Sequence, residues 1–367
     1  MSDIRLERLA DILVNYSTSV QPGEWVGILG DTAALPALRA VYRKVIQAGG
    51  YPTLILNDEQ MLRTLLREGN DDQLNWLDPS QSLYYDKADV YIRVNAPSNT
   101  RAMTTIDARR NQMLQKARRP WLDTRMRRAA EGKMKWVGTM YPTEALAQEA
   151  GMSLEEYEDF LYGATFADRE DPVSEWRKMG EMQQQKIDWL KGRKIVKVEG
   201  PNADLELSIE GRVFINACGE HNMPDGEIFT GPVEDSVNGW IRFTYPSIVA
   251  GRAVEGIELR FEQGKVVEAS SKTNQDLLYA QLDTDPGARY LGEFAIGTNF
   301  GINRFTGMIL FDEKIGGTIH CAIGRSYAET GGRNESAVHW DMICDMRTDS
   351  TITVDGDLFY KNGEFVV

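Results

Sequence analysis

The spacing of apolar residues changes character partway along the chain. Leu6, Leu9, Ala10, Leu13 and Val14 follow the i, i+3, i+4 rule of an amphipathic helix, and Pro22-Gly23 then introduces the apolar run Trp25 to Leu29. That reads as helix, turn and buried strand. A helix from Leu35 to Ala48, a strand from Thr53 to Leu56, a helix around Met61 to Leu66, and strands at Val90 to Val94 and Trp136 to Met140 are expected next. Ser153 and Glu156 have capping-box spacing, and Val173 to Leu190 predicts a long helix ending at Gly192. Strands alternating with helices imply a parallel sheet covered on both faces. From Ile195 the pattern turns to short alternating runs, at Ile195 to Val198, Leu205 to Ile209, Val213 to Ala217, Ile257 to Phe261 and Val266 to Ala269, with one helix near Asn274 to Leu282. The predicted fold is α/β plus α+β: an N-terminal parallel α/β domain over residues 1–193 and a C-terminal, mainly antiparallel β domain over residues 194–367.

Charge narrows the class. The net charge is −14, and the segment from Lys194 onward holds 15 basic and 27 acidic residues, leaving the first part close to neutral. Such a surface repels nucleic acid and anionic membranes and suits cations and positively charged substrate ends. No apolar run reaches the ~18 residues that span a bilayer, and the opening Met-Ser-Asp-Ile-Arg-Leu-Glu lacks the basic-then-apolar pattern of a signal peptide. Cys218, Cys321 and Cys344 show no CxxC spacing and fit reduced thiols, so a cytoplasmic protein is expected. Two segments carry weaker signals. The turn Gly27-Ile-Leu-Gly30-Asp31-Thr32 could seat an anion but lacks the full GxGxxG pattern, so a plain strand-to-helix connection is expected. Arg109 to Lys135 carries ten basic residues without the interleaved aromatics of nucleic-acid sites, and reads as a solvated helical face or a subunit contact.

Two of the three histidines lie in strand-like segments of the acidic half. In Thr318-Ile-His320-Cys-Ala-Ile323 alternation puts Ile319, Cys321 and Ile323 on one face and Thr318, His320 and Ala322 on the other. In His339-Trp-Asp341-Met342 it sets His339 and Asp341 side by side, opposite Trp340 and Met342. Three acidic segments accompany them: Asn222-Met-Pro-Asp-Gly-Glu227-Ile-Phe-Thr, Leu291-Gly-Glu293-Phe-Ala-Ile-Gly-Thr-Asn299 and Leu310-Phe-Asp-Glu313. A carboxylate in an apolar strand such as that of Glu293 needs neutralising, by an arginine (Arg289 or Arg304) or by metal. Glu and Asp with two His form the oxygen and nitrogen ligand set of a divalent-metal hydrolase rather than of a closed cysteine zinc site.

In this order the segments resemble the aminopeptidase T family of metalloaminopeptidases, loosely in the first half and closely from Asn222 to Ile343. The resemblance implies metal ligands at Glu227, Glu293, Glu313, His320, His339 and Asp341, and a catalytic tyrosine at Tyr327. The interval from Glu313 to His320 is about two residues longer than the family's, and that from Tyr327 to His339 is shorter. The resemblance implies two divalent ions (Zn, Co, Mn or Mg), roughly 3.5 to 4 Å apart, that activate water and polarise the scissile carbonyl; Glu293, with two carboxylate oxygens and the most apolar segment, is expected to bridge them. Tyr327 would then donate to the developing oxyanion. The expected activity is release of N-terminal residues from short peptides by a homodimer, with Glu220, Asp225 and Glu234 as candidate anchors for the substrate amine. Two alternatives stand beside it. His320, His339 and Asp341 alone would suit a mononuclear non-haem iron ring-cleaving dioxygenase, although Glu227 and Glu293 would then be superfluous. A non-catalytic metal-binding homologue would leave Tyr327 without a purpose.

Overall fold

The computed structural model describes residues 3–249 and 251–367. They form two compact units, one running to Val173 and taking in Gly219–Pro224, the other comprising Ser174–Cys218 and Asp225–Val367.

The first unit is built on an all-parallel sheet with the order Tyr51–Asn57, Trp25–Asp31, Val90–Asn95, Lys135–Met140 and Asn222–Met223. Val26, Ile28, Val90, Ile92 and Val94 are fully buried, as central parallel strands require. The Leu35–Gln47 helix buries Ala37, Leu38, Val41 and Val45, an i, i+3, i+4 stripe. Ser153 and Glu156 form the expected reciprocal capping box at the start of the Leu154–Ala164 helix. The basic segment is one long helix, Ala108–Ala130.

The second unit contains an eight-stranded antiparallel sheet, in the order Lys265–Ser270, Glu258–Glu262, Asn238–Arg242, Ala203–Ser208, Ile195–Gly200, Thr351–Val354, Asp357–Lys361 and Glu364–Phe365. A second antiparallel sheet has the order His339–Asp345, Thr318–Gly324, Leu291–Gly297, Glu227–Thr230 and Ile215–Ala217. One apolar core joins them, with Val198, Leu205, Ile241 and Leu259 from the first sheet meeting Phe294, Ile319, Cys321 and Met342 from the second.

The boundary expected at residue 193 is displaced. Most of the Pro172–Leu190 helix belongs to the second unit, because Ile187 and Leu190 pack into that unit's core. Gly219–Pro224 returns to the first unit because Asn222–Met223 adds a fifth parallel strand beside Lys135–Met140. A two-residue strand carries no periodicity, so no sequence pattern announces it. Among the described residues no helix is long and apolar enough to cross a membrane.

Candidate metal centre

The five-stranded sheet of the second unit presents a charged face opposite its core face. Register decides which residues share it. Asp341 lies opposite Ala322, and Ala322 opposite Glu293, so one row runs Glu293, Ala322, Asp341 across three strands. Gly324 faces His339, Ala295 faces His320, and Gly297 faces Glu227. Directly opposed residues of an antiparallel pair project on one side. The small residues Ala295, Gly297, Ala322 and Gly324 therefore floor a space that the larger polar side chains surround. On the reverse side Ile319, Cys321, Ile323, Trp340 and Met342 enter the core, as the alternation predicts.

Glu293 reaches this face through an irregularity. Strict alternation would give Leu291 and Glu293 the same side, but the register shifts between them, which leaves Leu291 in the core and turns Glu293 to the charged face. Gly292 permits it, since a Cβ there would lie 2.3 Å from the Gly324 carbonyl oxygen. Glu227 is held by its own backbone: Gln183 Nε2 donates to the Glu227 carbonyl at 3.0 Å and to that of Ala217 at 3.2 Å.

The side chains converge. Glu293 Oε1 lies 3.4 Å from His320 Nε2, and Glu293 Oε2 lies 3.2 Å from His339 Nε2. Glu227 Oε2 is 3.5 Å from His320 Nε2, and Asp341 Oδ1 is 3.5 Å from His339 Nε2. Three ligand-like groups result: Glu227, Glu293 and His320; Glu293, His339 and Asp341; and Glu313, His320 and Asp341. All six residues nominated as metal ligands are thus brought together, and Glu293 is shared by the first two groups. Neither Arg289 nor Arg304 compensates Glu293; Arg289 pairs with Asp283 at 2.6 Å.

Both imidazoles are oriented from behind. His320 Nδ1 donates to the Glu313 carbonyl at 2.9 Å, and His339 Nδ1 donates to the Arg325 carbonyl at 2.8 Å. A carbonyl can only accept, so Nδ1 carries a proton and Nε2 faces the carboxylates, the arrangement in which histidine binds a metal. Glu227 Oε2 and Asp341 Oδ1 are buried, and each has no hydrogen-bond partner beyond an imidazole at the long distance of 3.5 Å. Such oxygens are costly unless a cation satisfies them. This donor set fits divalent ions.

Electrostatics agrees with the geometry. Burial pushes Glu227 up to about 8 despite the nearby Lys314 ammonium, and burial also raises Glu313. For Glu293 burial acts in the same direction, yet hydrogen bonds from His320 and His339 outweigh it and hold the carboxyl below its usual range; His339 does the same for Asp341. Burial disfavours the imidazolium, but these carboxylates push His320 up to about 10 and His339 up to about 11.

Lys314 is the residue that motif reasoning passed over. Its side chain is fully buried, with Nζ against Glu313 and 3.5 Å from Glu227 Oε1. The signal available was its position, directly after Glu313 in a segment that ends in a buried strand. Tyr327 stands at the rim, 42% exposed, with its ring edge-on to His339 at 5.1 Å and near Phe229 at 5.5 Å. Burial and the surrounding carboxylates raise its phenol, which keeps the hydroxyl a donor. Of the three amine anchors considered, Glu234 is tied to Arg212 at 2.6 Å and to the Arg333 N–H, Asp225 is buried within the electrostatic reach of Lys314, and Glu220 falls in the first unit. The third histidine, His221, stacks on Trp136 in the first unit, outside the cluster.

Carboxylates and two imidazoles on one face of an antiparallel sheet define a divalent-metal enzyme of the carboxylate-histidine type. The chain belongs to the thermophilic metalloprotease (M29) family, whose model matches residues 2–365. It is 27% identical to Aminopeptidase T of Thermus thermophilus, spanning 98% of this chain and 95% of that protein. It is 25% identical to Aminopeptidase 2 of Geobacillus stearothermophilus, over 96% and 94%, and 27% identical to Aminopeptidase AmpS of Bacillus subtilis, over 98% of each. In fold it matches wild-type AmpT from Thermus thermophilus with a TM-score of 0.85, at 24% identity and 99% coverage of both chains. More distantly it matches 2,5-dihydroxypyridine dioxygenase from Pseudomonas putida, with a TM-score of 0.57 at 14% identity, covering 99% of this chain and 97% of that one.

Two outcomes follow from the charge arrangement. With folded-state values of about 10 and 11, both imidazoles are protonated at neutral pH when no ion is bound, so a metal must displace their protons. Affinity for Zn or Mn should therefore rise between pH 6 and pH 8, with proton release visible as a buffer-dependent calorimetric heat; a heat that does not change with the buffer would contradict it. Lys314→Met removes a cation that competes for Glu227 and Glu313, so a divalent ion held by these carboxylates should bind at least ~10-fold tighter while the metal-free protein loses stability. Metal titration and chemical denaturation of the variant read the two effects separately.

Proposed function

We propose that the chain is a metal-dependent aminopeptidase that removes N-terminal residues from short peptides, using two divalent ions that share Glu293. The observation that carries this reading is the placement of one Glu293 oxygen near each imidazole, at 3.4 and 3.2 Å. Glu227 and His320 complete one ligand group, and His339 and Asp341 the other. Glu313 lies against Lys314 and within reach of His320 and Asp341. The names of the three aminopeptidase relatives support the substrate class. Bound Zn, Co, Mn or Mg ions supply Lewis-acid polarisation of the scissile carbonyl and an acidified water.

The chain's own residues do the rest. The two backbone carbonyls behind His320 and His339 fix the imidazoles with Nε2 inward. Tyr327 keeps its proton at neutral pH and donates it in a hydrogen bond to the oxyanion as the carbonyl is attacked. An ammonium at the substrate's amino end is drawn by the surplus of carboxylates. Asp225 is the anchor favoured over Glu234, whose charge Arg212 already neutralises. A reduced cytoplasmic setting accords with three free cysteines, and a homodimer completes the proposal.

A dioxygenase would need only two histidines and one carboxylate, and gives no purpose to inward Glu227 and Glu293. The deciding experiment is anaerobic incubation with Leu-, Met- and Arg-initiated dipeptides and tripeptides, free and N-blocked, under several divalent metals. Free peptides should lose their first residue and blocked ones survive. Oxygen consumption on a hydroxypyridine with ferrous iron, and no cleavage, would overturn the proposal.

Two variants assign the roles. Glu293→Gln should abolish cleavage and lower metal content while the fold persists by circular dichroism. Tyr327→Phe should lower kcat by ~100-fold with metal content unchanged, since one oxyanion donor is worth roughly 3 kcal/mol. An unchanged kcat would make Tyr327 a packing residue.

A further inference from the structure

The first unit holds a cavity of about 790 Å³ that shares no residue with the metal cluster. Its wall includes Asp31 and Asn57 at the ends of two parallel strands, Arg93 near the end of a third, and the following segment from Ala96 to Asn99. The chain passes from Trp25–Asp31 to a neighbour on one side, Tyr51–Asn57, and then to one on the other, Val90–Asn95. That reversal is where open α/β sheets place ligands, outside the carboxyl ends of the strands.

The cavity wall carries three acidic and three basic side chains, which differ in how they are partnered. Arg93 interrupts the apolar run Val90 to Val94 of a central strand, where a parallel sheet normally allows no charge. Its Nε donates to Asn95 Oδ1 at 2.5 Å, and among the described residues it makes no ion pair, although Asp31 lies within its electrostatic reach. Arg118 and Arg125 come from the Ala108–Ala130 helix and likewise have no carboxylate partner; Arg118 lies over Trp121 at 6.0 Å, and Arg125 over Tyr91 at 5.2 Å. The acidic side chains of the wall are already occupied. Asp31 accepts the Ala96 N–H at 2.7 Å, Asp58 caps the Glu59–Glu68 helix, and Glu59 accepts from Ser98 at 2.9 Å. Tyr85 and Trp121, stacked at 5.6 Å, line the same cavity, as do Leu56 and Met61, left 46% and 75% exposed. The basic segment and the strand-to-helix turn around Asp31, for which the metal site has no use, thus meet at one cavity.

We propose that this cavity binds a small organic oxyanion, a carboxylate or phosphate carried on an aromatic or apolar body. Arg93, Arg118 and Arg125 take the anionic group, in the planar, multiply hydrogen-bonded manner guanidinium allows. Tyr85, Trp121, Leu56 and Met61 cover the body. A phosphate-bearing and a carboxylate-bearing ligand present the same chemistry to the three arginines, so both are probed.

The test is calorimetry on the full chain with adenosine monophosphate, indole-3-acetate, inorganic phosphate and the uncharged indole-3-acetamide. At least one of the first two should bind saturably with Kd below about 1 mM, and inorganic phosphate and the amide at least tenfold more weakly. Arg118→Gln and Arg93→Met should each weaken binding tenfold or more while leaving peptide cleavage in the absence of ligand unchanged. Arg118 is exposed on a helix surface, so its variant decides the matter if Arg93→Met fails to fold. Absence of binding by both aryl oxyanions, equal binding of the uncharged amide, or an unaltered Kd in Arg118→Gln would each overturn the proposal.

Discussion

Four carboxylates gathered at one face of an antiparallel sheet, Glu227 and Glu293 buried and Glu313 and Asp341 half-buried, must be neutralised, and the local design of the second unit answers that constraint. Glu227, Glu293, Glu313 and Asp341 face two imidazoles and one ammonium, too little positive charge even with every base protonated. Leaving such charges unpaired away from water would cost several kcal/mol apiece, a large share of the margin by which a domain is folded. The opposite face carries the compensating stabilisation. Ile319, Cys321, Ile323, Trp340 and Met342 enter a shared apolar core, so the strands that hold the charges are fixed from behind. Rigid strands keep the ligand atoms close, and closeness both creates the repulsion and makes the site attractive to divalent ions.

Lys314 is understandable in the same terms. Its ammonium contacts Glu313 and Glu227 and acts on Asp341 only through space, so the positive charge it brings is lopsided. It tempers the metal-free protein mainly on one side. Glu227 and Glu313 are thus partly satisfied by an ammonium, whereas Asp341 Oδ1 has only the His339 imidazole, at 3.5 Å. The two ligand groups therefore differ in kind although they share a carboxylate.

Much of the site was legible because strand periodicity is strict. His339 and Asp341 are two residues apart, as are His320 and Ala322, so their faces follow from counting. The side taken by Glu293 does not follow, since the register shift beside Gly292 reverses the parity that counting would assign. Lys314 was illegible for another reason. A lysine beside acidic residues normally points to solvent, and only the turn before the Thr318–Gly324 strand buries it. The fold shows the same division. Helix and strand positions follow from apolar spacing. The boundary shifts because a helix joins whichever core its apolar face meets, and the short Asn222–Met223 strand rests on backbone pairing alone.

Arg93 and Glu293 illustrate one rule from opposite directions. Each is a charge on a strand whose neighbours are apolar, and each was invisible or ambiguous to periodicity, which classes Val90 to Val94 and Leu291 to Gly297 alike as buried strands. What separates a structural charge from a functional one is its compensation. Arg212, also largely buried, is met by Glu234 at 2.6 Å and so completes its own neutralisation within the protein. Glu293 meets only groups that would themselves rather bind a cation, and Arg93 makes no ion pair among the described residues, has Asp31 only within electrostatic reach, and opens into a cavity. A fold that retains an uncompensated charge at a well-packed position accepts a loss of stability that packing alone would not select. The partner that recovers that loss then lies outside the chain: divalent ions at the face of Glu293, and an oxyanion at the face of Arg93.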